Sequence, residues 1–173
     1  VDAYTAYQVL DDSWQKTIAN DLETIQSEGH DAVRKVDANM VVKKKSGKDV
    51  EVQDGWAGHI LPFDLVQEKL LSADLAEIGT YESRLTEISS EIADILENLD
   101  EDDKNSTDAV SEDGDSFVAT ELKKAVKSIG RDPETDFDRA LVNAQRLFDE
   151  EREVKKNVKN LRSALDEKTR AVI

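Results

Sequence analysis

From Ile78 onward the apolar positions Tyr81, Leu85, Ile88, Ile92, Ile95 and Leu99 recur at alternating steps of three and four residues, the heptad spacing that gives a helix one adhesive seam. A second run nearer the C-terminus, Ala144, Leu147, Glu151, Val154, Val158, Leu161, Leu165, Lys168 and Val172, keeps the same beat with two charged residues set into it. Ile78, the six residues that follow it, and Val154, Val158, Leu161, Leu165 and Val172 are therefore the candidate partner interface. The spacing leaves open whether the two arms clasp each other or reach outward to another polypeptide.

Near the start of the chain, Tyr7, Leu10, Trp14, Ile18, Leu22 and Ile25 predict an amphipathic helix over positions 3–27, ended by Gly29, with Trp14 as a core anchor in mid-stripe. The period changes after Asn39. Met40, Val41 and Val42 lead through three lysines to Ser46-Gly47, and Val50-Glu51-Val52-Gln53 returns in alternation, which predicts a β-hairpin. Asp54-Gly55-Trp56-Ala57-Gly58-His59-Ile60-Leu61-Pro62-Phe63 reads as a junction in which glycines allow tight turns and large apolar groups supply anchors.

Asp64 is placed to cap a helix over 64–99, which Gly79 weakens by about 1 kcal/mol. Residues 100–115 hold eight carboxylates and one lysine and read as a solvated loop. Val118, Leu122, Ala125 and Ile129 mark a short helix over 116–129 closed by Gly130, and Asp132-Pro133-Glu134 signals a last helix over 133–172. The expected fold class is mainly α with a small β-hairpin. An N-terminal helix-and-hairpin module at 1–63 precedes a long antiparallel helical hairpin at 64–173.

Composition supports this picture. With 36% charged residues, seven glycines and two prolines, the 173-residue chain has little material for a loop-rich or all-β fold. It contains no cysteine, which excludes disulfides, thiolate metal sites and cysteine nucleophiles and suits a cytoplasmic setting. No apolar run approaches the roughly 20 residues that cross a bilayer, so a membrane is not expected as a partner. The chain opens without Met and is already in helical rhythm at Tyr4 and Tyr7, so it is expected to be a piece of a longer polypeptide.

The net charge of −16 is unevenly spread. Residues 82–103 carry Arg84 against nine carboxylates, whereas 152–170 carry seven basic groups against three acidic ones. Opposite signs favour antiparallel pairing of the two arms. At exposed flanks each ion pair adds only about 0–1 kcal/mol, so the charges set orientation and the apolar seam supplies affinity.

Most chemical motifs are missing. The scattered glycines make neither a P-loop nor a G-x-G-x-x-G cradle, and His30 and His59 stand alone, as surface or junction histidines. Asp100, Asp102 and Lys104 break the calcium-loop pattern, and Asp113-Gly114-Asp115 lacks its upstream ligands. Asn105-Ser106-Thr107 matches a glycosylation sequon, and with no secretory route expected the match is read as chance. No catalytic, cofactor-binding or metal-ligating residue is assigned. Lys43, Lys44, Lys45 and Lys48 form a basic patch with two readings, protection of an exposed strand edge or contact with DNA phosphates.

Tyr4-Thr5-Ala6-Tyr7-Gln8-Val9-Leu10-Asp11-Asp12-Ser13-Trp14, the Val41-Val42-Lys43-Lys44 segment, and above all Glu51-Val52-Gln53-Asp54-Gly55-Trp56-Ala57-Gly58-His59-Ile60-Leu61-Pro62-Phe63-Asp64-Leu65-Val66-Gln67 together carry a family likeness. Over roughly residues 3–70 the chain resembles the C-terminal part of the modification (methyltransferase) subunit of bacterial type I restriction–modification systems. Beyond that the likeness is one of helical character only.

The resemblance implies a subunit that transfers a methyl group from S-adenosylmethionine to adenine N6. Its partners would be a specificity subunit, a second modification subunit, a restriction subunit and DNA. The family's Asn-Pro-Pro-aromatic motif is absent, because Pro62 and Pro133 are the only prolines. The glycine-rich cofactor motif is absent too, and both are expected in a Rossmann-like domain preceding Val1, where a flipped adenine would meet the methyl donor. No catalytic residue carries over, and no cofactor is expected on this part of the subunit. The implied role is assembly with the specificity subunit. A free-standing coiled-coil adaptor or chaperone-like interaction protein is the alternative that the heptads alone allow.

Overall fold

The computed structural model describes residues 2–45, 47–130 and 132–173. The protein is mainly α-helical with one two-stranded hairpin. Helices α1 (Ala3–Trp14) and α2 (Asn20–Glu28) are joined through a π-helical turn at Gln15–Ala19. Within this stretch the Thr17 hydroxyl donates to the Ser13 carbonyl at 2.7 Å, a side-chain bond of the kind that bends helices. Asp2 caps α1 by accepting from the Tyr4 N–H, and Gly29 ends α2 at φ 86°, a left-handed conformation open to glycine.

A short 3-10 turn at His30–Arg34 leads into strands β1 (Val36–Lys45) and β2 (Lys48–Gly58). They pair antiparallel with Lys45 opposite Lys48. Gly47 occupies the turn at φ 78°, while Ser46, read from sequence as the other turn residue, lies outside the described residues. The hairpin is longer than its sequence pattern suggested. Asp54 to Gly58, expected as a junction, continue β2 past a bulge in which Asp54 and Gly55 together face Asn39. Gly55 adopts φ 81° and the Asn39 side chain donates to the Asp54 carbonyl at 3.0 Å, so the bulge has both the conformation and the hydrogen bond it needs.

The helix expected over 64–99 is two helices, α3 (Phe63–Leu70) and α4 (Ser72–Glu97). Leu71 leaves helical geometry at φ −126°, ψ 31°, just where Ser72 and Asp74 offer a fresh helix start. Asp64 lies in the first turn of α3 rather than at its cap, a position taken by Pro62. The acidic stretch that follows is not simply a solvated loop. Its residues form the short helix α5 (Glu101–Asn105), bury Ala109 and Val110, and bridge Val110 to Phe117.

Helix α6 (Ala119–Ile129) ends at Gly130 as expected, three residues shorter at its start than the sequence span. Helix α7 (Asp136–Val172) begins after the Asp-Pro-Glu signal. Thr135 and Asp138 supply its cap by exchanging hydrogen bonds, the Asp138 N–H to the Thr135 hydroxyl at 3.0 Å and the Thr135 N–H to the Asp138 carboxylate at 3.1 Å.

The chain divides into two compact units, Val1–Leu75 with Ser163–Ile173, and Ala76–Arg162. In the second unit, Leu96, Leu99, Val110, Phe117, Leu122 and Leu141 bury one core cluster, with Phe117 edge-on to Phe148. Ile88, Leu147 and Val154 bury another, flanked by Tyr81, Leu85, Ile92, Ile95 and Val158. In the first unit, Ala32, Val66, Leu165 and Thr169 are buried, and Arg170 lies over the Trp56 ring at 4.0 Å. Among the described residues no helix is long and apolar enough to cross a membrane.

Candidate interaction surfaces

Most of the residues expected to form the partner interface are packed inside the chain. Ile88 and Val154 are buried together, with Tyr81, Leu85, Ile92, Ile95 and Val158 around them, and Ile78 and Leu99 are also buried. Leu161 is half-buried, Leu165 is buried and Val172 is exposed. Of the two possibilities left by the heptads, the arms clasp each other in this structure. Lys168, counted into the seam, instead pairs with Asp74 at the surface. The adjacent Thr169 is fully buried, its hydroxyl donating to the Leu165 carbonyl at 2.7 Å, which satisfies the polar group within its own helix.

Charge pairing is more specific than two attracting rods. Arg84, the lone cation in its acidic segment, reaches Glu150 on α7 and Glu91 on α4 at 2.7 Å each, and Glu87 at 3.1 Å. The three carboxylates hold its proton more tightly than usual, and Arg84 in turn holds the Glu150 carboxyl below the ordinary carboxylate range. Arg162 pairs with Glu82 in the sense the charge distribution predicts.

The surface that sequence reasoning misplaced is the N-terminal stripe. Trp14 is not a core anchor, because it is 54% exposed; Tyr4, Tyr7, Leu10, Ile18 and Leu22 range from 42% to 74%. No side chain described from Tyr4 to Glu28 is buried. Exposed apolar residues recurring on one helix face of an otherwise charged chain are the type of surface that protein interfaces use. The stripe itself was legible in the spacing; its exposure was not.

The basic patch lies on the hairpin tip. Lys43 faces Val50, Lys44 faces Asp49 and Lys45 faces Lys48 across the ladder, and Lys43 also pairs with Asp54 at 3.1 Å. At the hairpin base, the His59 ring bonds Asp37 at 2.6 Å and lies 3.4 Å from Glu28, which also pairs with Lys35. The Asp37 bond raises the His59 pKa, and Lys35 foremost lowers that of Glu28.

One open depression of about 400 Å³ is lined by Glu101, Lys104, Asp108, Glu112 and Asp113 among others. Asp113 there accepts from the Ser111 hydroxyl, which with the Asp115 N–H lowers its pKa. Among the described residues no group of three His, Cys, Asp or Glu side chains is placed to hold a metal ion. Compared with family models, curated proteins and solved structures, the chain matches none.

Proposed function

We propose that this chain is the C-terminal, non-catalytic assembly region of a type I restriction–modification modification subunit. The whole protein is then a site-specific N6-adenine DNA methyltransferase that uses S-adenosylmethionine and works in the bacterial cytoplasm. The region docks on the specificity subunit and helps hold DNA, in a complex completed by a second modification subunit and a restriction subunit.

The observation that carries this reading is the exposed Tyr4, Tyr7, Leu10, Trp14 stripe, which lies inside the segment bearing the family resemblance. An aromatic-rich helix face open to water is suited to the centre of a protein interface, where Trp and Tyr contribute most. The clasped heptads support a revised division of labour. They stiffen the second unit, and docking is carried by α1 rather than by the seam.

Gel filtration of the chain with a type I specificity subunit tests the reading. Co-elution is expected, and a Leu10→Asp, Trp14→Asp variant should lose it while keeping its helical circular dichroism, since both changes lie on an exposed face. Failure of the unmodified chain to co-elute would overturn the proposal. Self-association together with that failure would favour the free-standing adaptor, for which a heptad pair closed on itself is the supporting observation.

A further inference from the structure

The four lysines of the hairpin do not share one face. In an antiparallel pair, residues directly opposite lie on the same face and successive residues alternate. The register puts Lys43, Lys45 and Lys48 on one face, with Val50 opposite Lys43 and Val41 and Val52 one pair further from the tip. Lys44 is on the other, with Met40, Val42 and Gln53 and two carboxylates, Asp49 and Glu51.

One face is strongly basic and the other carries a net negative charge. The carboxylate that pairs with the basic face is Asp54, which sits at the bulge and takes Lys43. That pair is more than half exposed on both sides, so it yields readily to a competing anion. Lys45 and Lys48 are directly opposite, and among the described residues neither has a carboxylate within ion-pair distance. Two like charges facing each other destabilise a ladder, and an anion between or over them reverses the sign of that interaction.

We infer that the Lys43, Lys45, Lys48 face of the hairpin, and not Lys44, lies against the phosphate backbone of duplex DNA. This deepens the DNA-holding role proposed above and rests on that reading. A two-stranded ribbon has the dimensions of the DNA major groove, about 12 Å wide, and lysines two positions apart on one strand are spaced about 7 Å, so neighbouring phosphates can be met in series. Other polyanions fit less well. The strands carry no aromatic residue between Val36 and Gly55, which removes the stacking platforms that single strands require and the aromatic anchors typical of membrane surfaces. The A-form major groove of RNA is too deep and narrow for side chains to read. With a net charge of −16 the chain as a whole disfavours DNA, and in the other basic stretch, 152–170, Arg152, Lys155, Arg162 and Lys168 are each taken by a carboxylate.

Fluorescence anisotropy of the full chain with a labelled duplex of about 20 base pairs, over a salt series from low ionic strength, tests the inference. Lys45→Gln with Lys48→Gln should make the slope of log affinity against log salt less negative by about 2, at roughly 0.9 for each phosphate no longer neutralised. Lys44→Gln should leave the slope unchanged, although it removes the same kind of charge from the same end of the hairpin. An equal effect from Lys44→Gln, no binding by the unmodified chain at low salt, or tighter binding to phosphatidylserine vesicles than to duplex would each overturn it. The assembly reading fails separately. A chain that shows the lysine-dependent slope but ignores the specificity subunit keeps this face and loses that partner, and the converse result does the opposite.

Discussion

Gly58 is held by what lies beside it. A Cβ at this position would come within 1.8 Å of the Leu61 carbonyl oxygen and 2.9 Å of its carbon, so any side chain forces the turn after β2 to open. Gly58→Ala is expected to cost about 1–3 kcal/mol or more, read as a lower midpoint in urea unfolding. Gly79 is the contrasting case, since a Cβ there meets nothing within 4 Å and the residue lies inside α4. Gly79→Ala should raise stability by about 1 kcal/mol in the same assay. His59 gives a pH signature. Its folded pKa is raised above the ordinary 6.5, first by the Asp37 bond, so its contribution is full below the unfolded value and fades as pH climbs through the folded one. The stability gap between the wild type and His59→Gln should therefore be widest near pH 5 and narrow toward pH 9; a gap independent of pH would refute the ion pair.

At the scale of elements, the heptads of α4 and α7 were legible because steps of three and four have one geometric meaning, and the hairpin because its period switches to two. The errors came where local signals competed. Ser72 restarts a helix that the apolar run alone would continue, and Thr135 caps α7 in preference to the equally suitable Asp132. Lys168 kept the beat on paper, yet Thr169 took the buried place because its hydroxyl can be satisfied within the helix while an ammonium cannot. The internal clasp has a direct consequence for the isolated chain. Leu147, fully buried between the arms, should cost about 2–5 kcal/mol as Leu147→Ala, whereas exposed Val172→Ala should stay within about 0.5 kcal/mol. A near-neutral Leu147→Ala, measured by thermal or denaturant unfolding, would mean the seam is not closed in solution.

At the scale of the whole molecule, no local pattern announces that Ser163–Ile173 belongs with the first 75 residues rather than with the rest of its own helix. Pairs far apart in sequence tie these segments together, Gln67 with Asp166, 99 positions on, and Arg170 over Trp56. The exposure of the N-terminal stripe is equally invisible to periodicity, which identifies a face without saying what lies against it. The same two features equip the protein with its own optics. Its two indoles occupy opposite circumstances, Trp14 bathed in solvent and Trp56 roofed by a guanidinium. A blue shift in the emission of the first would register a companion settling on the stripe, while the second would stay dark to that event and register only fraying at the foot of the ribbon.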